Sequence, residues 1–180
     1  MILGSAGLIP GSVDAQRALL PPPITCDDPV AGVWRAHRYD PRAEDWALFT
    51  LTITRESEDR ITGTIVSHMW SGSAGDYSPP VCMPGGMDYT VRMNASGTVN
   101  GQRITFGAQT YRVVRASCPI PFFGYNADHF TGTIDETIQE FQSVNNDGGR
   151  DINAPYVFRR ISCGPPPAGM GPLASPDDAR

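Results

Sequence analysis

Gly32-Val33-Trp34, then Ala47-Leu48-Phe49-Thr50-Leu51-Thr52-Ile53-Thr54, then Ile61-Thr62-Gly63-Thr64-Ile65-Val66 decide the fold, because apolar and polar residues alternate through them. A strand turns successive side chains to opposite faces, so this pattern describes half-buried antiparallel ribbons joined by polar turns. Phe49, Leu51 and Ile53 belong to the inner face, and Thr50, Thr52 and Thr54 to the outer one. The signature returns at Phe130-Thr131-Gly132-Thr133-Ile134. Both halves of the chain therefore contribute to one sheet.

On either side of this stretch the same reading continues. Tyr89, Val91 and Met93 share one face of a further strand, and Asn100-Gly101 is a strong hairpin signal. Residues 102–115 read either as one long strand or as a hairpin broken around Gly107-Ala108, which leaves the count at seven or eight strands. Later strands run from Asp128 to about Gln142 and from about Pro155 to Ser162. With no helical periodicity of useful length, the chain is all-β, and the expected architecture is a single antiparallel up-and-down β-barrel over residues 30–163. Residues 1–29 carry Pro21-Pro22-Pro23 and are expected to form a disordered arm, as is the Pro/Gly-rich tail, residues 164–180. Ser12-Val13-Asp14-Ala15 resembles a small-residue cleavage site, so the arm also reads as a remnant signal peptide.

A length of 180 residues fits one domain, and 19 glycines and 17 prolines imply many turns. The net charge is -5 and no lysine is present. Without a basic stripe to neutralise phosphates, nucleic acid is not an expected partner. No apolar run reaches the length of a membrane span, so the chain is not expected to cross a membrane. Cys26, Cys82, Cys118 and Cys163 form no CxxC pair and read as two disulfides, which points to a secreted or periplasmic protein. Strand parity bears on their pairing. In an eight-strand barrel the first and last strands are antiparallel, which brings Cys26 and Cys163 to one end; seven strands bring Cys82 and Cys118 together instead. The favoured pairing is Cys26 with Cys163 and Cys82 with Cys118, a bend near Gly107 or a long loop reconciling the two.

Gly32-Val33-Trp34 resembles the Gly-x-Trp signature of lipocalins, and Phe158-Arg159-Arg160 is similar to the late Arg that in that superfamily packs across the Trp and closes the barrel. The order Gly-x-Trp, alternating strand, Thr62-Gly63-Thr64 also looks avidin-like. The resemblance covers residues 31–70 and 128–161. It implies a structural role for Gly32 and Trp34 and a barrel holding a small ligand at one open end. The Trp-rich walls that grip biotin in avidins are absent, so biotin binding is not implied.

Two loops carry the candidate binding residues. Trp70 and Tyr77 belong to the first, and Phe122, Phe123 and Tyr125 to the second. A Cys82–Cys118 bond would bring these aromatics over one mouth, where they could cap an apolar ligand or meet a protein partner. The alternative is a small satellite core beneath the loops. The alternation Phe130, Gly132, Ile134, Glu136 puts the Glu136 carboxylate on the apolar face, where it needs a partner such as Arg160 or Arg112. A bulge would return it to solvent. His37, His68 and His129 read as exposed single histidines rather than metal ligands. No nucleophile elbow or phosphate loop is present, and no metal or cofactor is expected. The function these readings support is an exported, non-enzymatic binding protein. The alternatives are a secreted interaction or inhibitor module using the Cys82 and Cys118 loops, and an enzyme acting through a buried Glu136.

Overall fold

Each residue of the first strand finds its partner where the alternation requires: Trp34 faces Leu51, and Ala36 faces Phe49. The computed structural model describes residues 9–118 and 124–164. Among them lie a short helix, α1 (Val13–Ala18), and the strands β1 (Gly32–Asp40), β2 (Asp45–Arg55), β3 (Arg60–Ser71), β4 (Asp88–Asn100), β5 (Arg103–Ala108), β6 (Arg112–Ala116), β7 (His129–Asp135), β8 (Glu140–Asn146) and β9 (Ile152–Ser162). Neighbours follow the order β3-β2-β1-β9-β8-β7-β5-β4, and β4 pairs back onto β3. The sheet is thereby closed.

β5 and β6 lie end to end along one edge of β4, which pairs with β5 through Ala95–Asn100 and with β6 through Tyr89–Arg92. The break between them is therefore an irregularity in one ribbon and not a hairpin. The result is a closed eight-strand antiparallel barrel, with Cys26 bonded to Cys163 and Cys82 to Cys118.

The inner faces fill the barrel. Phe49, Leu51, Ile65, Met93, Phe106, Phe130 and Phe158 are all buried, and the Phe49 ring meets Phe130 and Tyr156 edge to face, each at 5.1 Å. Such contacts leave the middle of the barrel solid. The Thr-Gly-Thr signature has a steric reason. A Cβ on Gly63 would sit 1.8 Å from the Thr52 carbonyl oxygen, and one on Gly132 would sit 2.0 Å from that of Gln142. Strands wrapping this tightly tolerate only hydrogen at those points.

One end is closed. Trp34 is fully buried, donates from Nε1 to the Val30 carbonyl at 2.9 Å, and lies 4.5 Å beneath the Arg160 guanidinium. Arg160 in turn donates to the carbonyls of Asp28 and Pro29. Residues 9–29 are thus part of the fold, not the disordered arm expected from their prolines. Ser12 caps α1 by accepting from the Ala15 amide, so the segment read as a cleavage site is the first turn of a helix packed on the barrel. Residues 1–8 and 165–180, the ends of the expected arm and tail, lie outside the described residues.

Above its first turn β1 parts from β9, the two pairing only through Val33–Arg35. Gln16 seals the gap. Its amide accepts from the Val157 N–H at 3.0 Å and donates to the Pro155 carbonyl at 3.1 Å, replacing the missing strand contact.

Candidate functional site

The other end holds the connections at residues 72–87, 117–118, 124–128 and 147–151, and there the inner faces turn from apolar to polar. The i, i+2 rule that puts Phe130 inside also puts Asp128 inside, one step before β7 begins. Asp128 is 2% exposed. Its carboxylate accepts 2.6 Å hydrogen bonds from the Tyr125 hydroxyl and the Asn145 side-chain amide. Asn145 is held in that orientation because its Oδ1 accepts from the His129 backbone N–H at 3.0 Å. Burial raises the Asp128 pKa to about 7, with Asp151 and Asp147 adding to the rise and the two hydrogen bonds opposing it.

Around this carboxylate lies a cavity of about 160 Å3. Ala47, Phe49 and Met69 form its floor, and Tyr89, Tyr125 and Tyr156 its walls. The rim is charged. Arg150 grips Asp45 in a fork at 2.6 and 2.7 Å. Arg38 donates to the Tyr156 hydroxyl at 3.2 Å and lies over its ring, while that hydroxyl donates to Asp151 at 2.7 Å. Pre-paired polar groups of this kind can orient a small ligand at little reorganisation cost. A second depression, of about 570 Å3, lies on the outer surface along Ser96, Thr105, Thr131 and His129 and holds no carboxylate or guanidinium.

The expected site residues separate into three places. Tyr125 lines the mouth. Trp70 and Tyr77 do not reach it, because β3 turns Trp70 to the outside of the wall. There Trp70 stacks on Trp46 at 6.1 Å, both buried, and Tyr77, exposed in the following loop, meets Trp46 edge-on at 5.4 Å. Trp46 and Trp70 donate from Nε1 to the carbonyls of Ser73 and Asp76. This is the satellite core weighed above. Phe122 and Phe123 lie outside the described residues.

Glu136 is exposed in the turn after β7, at the closed end. The alternation stops with the strand at Asp135, so no buried carboxylate arises there. Of its two expected partners, Arg160 lies at the same end, against Trp34 and near enough for the Glu136 charge to act on it, whereas Arg112 is exposed on β6. His37 and His68 face outward as expected, yet they are not free in solvent. His37 packs 4.8 Å from Trp46, and His68 bonds Asp88 at 2.8 Å beside Arg115.

Asp128, Asn145 and Arg38 are the residues of this candidate site that the sequence reading missed. Extending the Phe130 alternation backward by one step would have found the first. Comparison with known proteins returned no match: no family model, no curated protein and no solved structure.

Proposed function

We propose that this chain is an exported, non-enzymatic binding protein of lipocalin-like or avidin-like shape, holding a small ligand at the open end of its barrel. The observation that carries the reading is the mouth cavity, in which Asp128, Tyr125 and Asn145 orient one another, and Asp151 and Arg38 hold Tyr156, above a solid floor. Arg160 stacked on Trp34 supports the lipocalin-like reading. Two disulfides support an oxidising compartment. The charged rim favours a ligand with a polar end over the purely apolar one expected from the loop aromatics.

Val81 and Met83 favour a second reading, a protein-contact surface on the same rim. They flank Cys82 and are 90% and 62% exposed. Native mass spectrometry of the protein purified from its own source separates the two. A retained small-molecule mass, lost on denaturation, is the expected result. A protein adduct would favour the contact surface, and a bare chain would overturn the ligand reading.

A further inference from the structure

Among the described residues, Asp128 is a buried carboxylate without a counter-ion. Its partners are the neutral Tyr125 and Asn145, and among the described residues no arginine or histidine pairs with it. An ionised carboxylate has about four acceptor positions, and these two bonds leave acceptor capacity unused. A charge in that position has to be paired or neutralised by a proton.

The rest of the cavity does not supply the missing cation. Arg150 is committed to Asp45, and Arg38 to Tyr156 and Asp151. Asp147, on the rim, is held by the backbone N–H groups of Gly149 and Asp151 and by no guanidinium. An anion entering here would meet uncompensated carboxylates and two guanidinium groups already taken. A cation would meet unspent negative charge in a cavity lined by Tyr89 and Tyr125.

Resting on the binding reading above, we propose that the mouth cavity selects a small organic cation, an alkyl- or arylammonium, whose nitrogen pairs with Asp128 and whose hydrocarbon part lies on Phe49 and Met69. The volume sets the size. About 160 Å3 is close to the roughly 150 Å3 cavities that take up benzene, so the ligand has about six to ten non-hydrogen atoms. A metal ion is the poorer fit, because among the described residues no three carboxylate, imidazole or thiolate groups converge as its ligands. Unliganded, Asp128 takes up a proton near neutrality; a bound ammonium displaces that proton, so affinity rises with pH. The groups facing Asp128 are Tyr125 beside it, Asn145 on β8, Tyr89 on β4, and Asp147 and Asp151 on the β8–β9 turn.

The test titrates the full chain with three probes of one shape, benzylamine, benzyl alcohol and benzoate, followed by amide NMR. Benzylamine is expected to shift the Tyr125 and Asn145 amides and to bind at least about tenfold tighter than the other two. Its affinity should fall about tenfold between about pH 8 and about pH 5.5. Asp128→Asn should cost about tenfold at the higher pH. Asp151→Asn, which leaves the buried carboxylate in place, should cost a few-fold and serves if the first variant does not fold. Equal or tighter binding of benzoate or benzyl alcohol at these amides overturns the cation inference and leaves the binding reading standing. If no probe moves these amides, the cation inference falls; a bare chain in native mass spectrometry takes the binding reading with it.

Discussion

Asp128 and His37 are both held neutral by burial, and they titrate in opposite senses. The Asp128 pKa is raised to about 7. That of His37 is lowered to about 4, by burial first and then by the charges of Arg35 and His68. In the unfolded chain they return to roughly 3.9 and 6.5. The Asp128 contribution to stability is therefore full below about pH 3.9 and lost as pH rises through 7; that of His37 is full above about 6.5 and lost as pH falls through 4. Between about pH 4 and 6.5 the two nearly cancel, and single variants unmask them. Relative to wild type, Asp128→Asn should gain stability with rising pH across about 4 to 7, by up to about 1.4 kcal/mol per pH unit. His37→Phe should show the mirror image up to about pH 6.5. Urea unfolding across this range checks both, and parallel curves for Asp128→Asn and wild type would refute the burial account. The same residue shows what the sequence could and could not convey. The alternation through Phe130 and Ile134 was legible, but not where the strand ended. Read forward it marks Glu136, already in a solvated turn; read backward it marks the carboxylate that the core encloses.

At the scale of elements, the strands were legible because a half-buried ribbon writes its inner face at every second residue. The favoured cysteine pairing is the one found, although parity gave its two bonds from different strand counts, and the eighth strand comes from the turn at residues 136–139 that divides the ribbon read as Asp128 to about Gln142. Helix α1 was not legible, for a physical reason: it has six residues, and Gln16 is the buried one, so no apolar 3.6-residue period exists to be read. Nor did composition reveal the gap between β1 and β9 that gives Gln16 its task. Gln16→Leu should cost about 1–3 kcal/mol, since it strands the Val157 N–H and the Pro155 carbonyl in a dry seam. Urea unfolding gives the loss. Amide exchange gives the location, with Val157 expected to lose protection while the β2–β3 ladder keeps its own. Unchanged protection at Val157 would mean that water or β1 closes the seam without the glutamine.

Across the whole molecule the two disulfides divide the labour between the ends of the barrel. Cys26–Cys163 spans 137 residues and binds the chain ends beneath Trp34; Cys82–Cys118 spans 36 and joins the two long connections at the mouth. Chain entropy alone predicts roughly 5 and roughly 4 kcal/mol for loops of these lengths, a small difference. The structure predicts a larger one. The closed end is knit into the core through Arg160, Trp34 and the carbonyls of Asp28 and Pro29, so residues there cannot loosen without opening the barrel. At the mouth, Val81 and Met83 are exposed and lose little if the loop frays. Replacing Cys26 and Cys163 with serine should therefore lower Tm by about 10–20 °C, a loss of roughly 5 kcal/mol at about 2–4 °C each. Replacing Cys82 and Cys118 should lower it by less than half as much, because local opening of the loop limits the cost. Hydrogen exchange would rise over residues 72–87 in the second variant, with Trp34 and Leu51 unchanged. Equal losses of Tm, with no local rise at the mouth, would show that the mouth disulfide acts through the unfolded chain and does not hold the cavity wall in place.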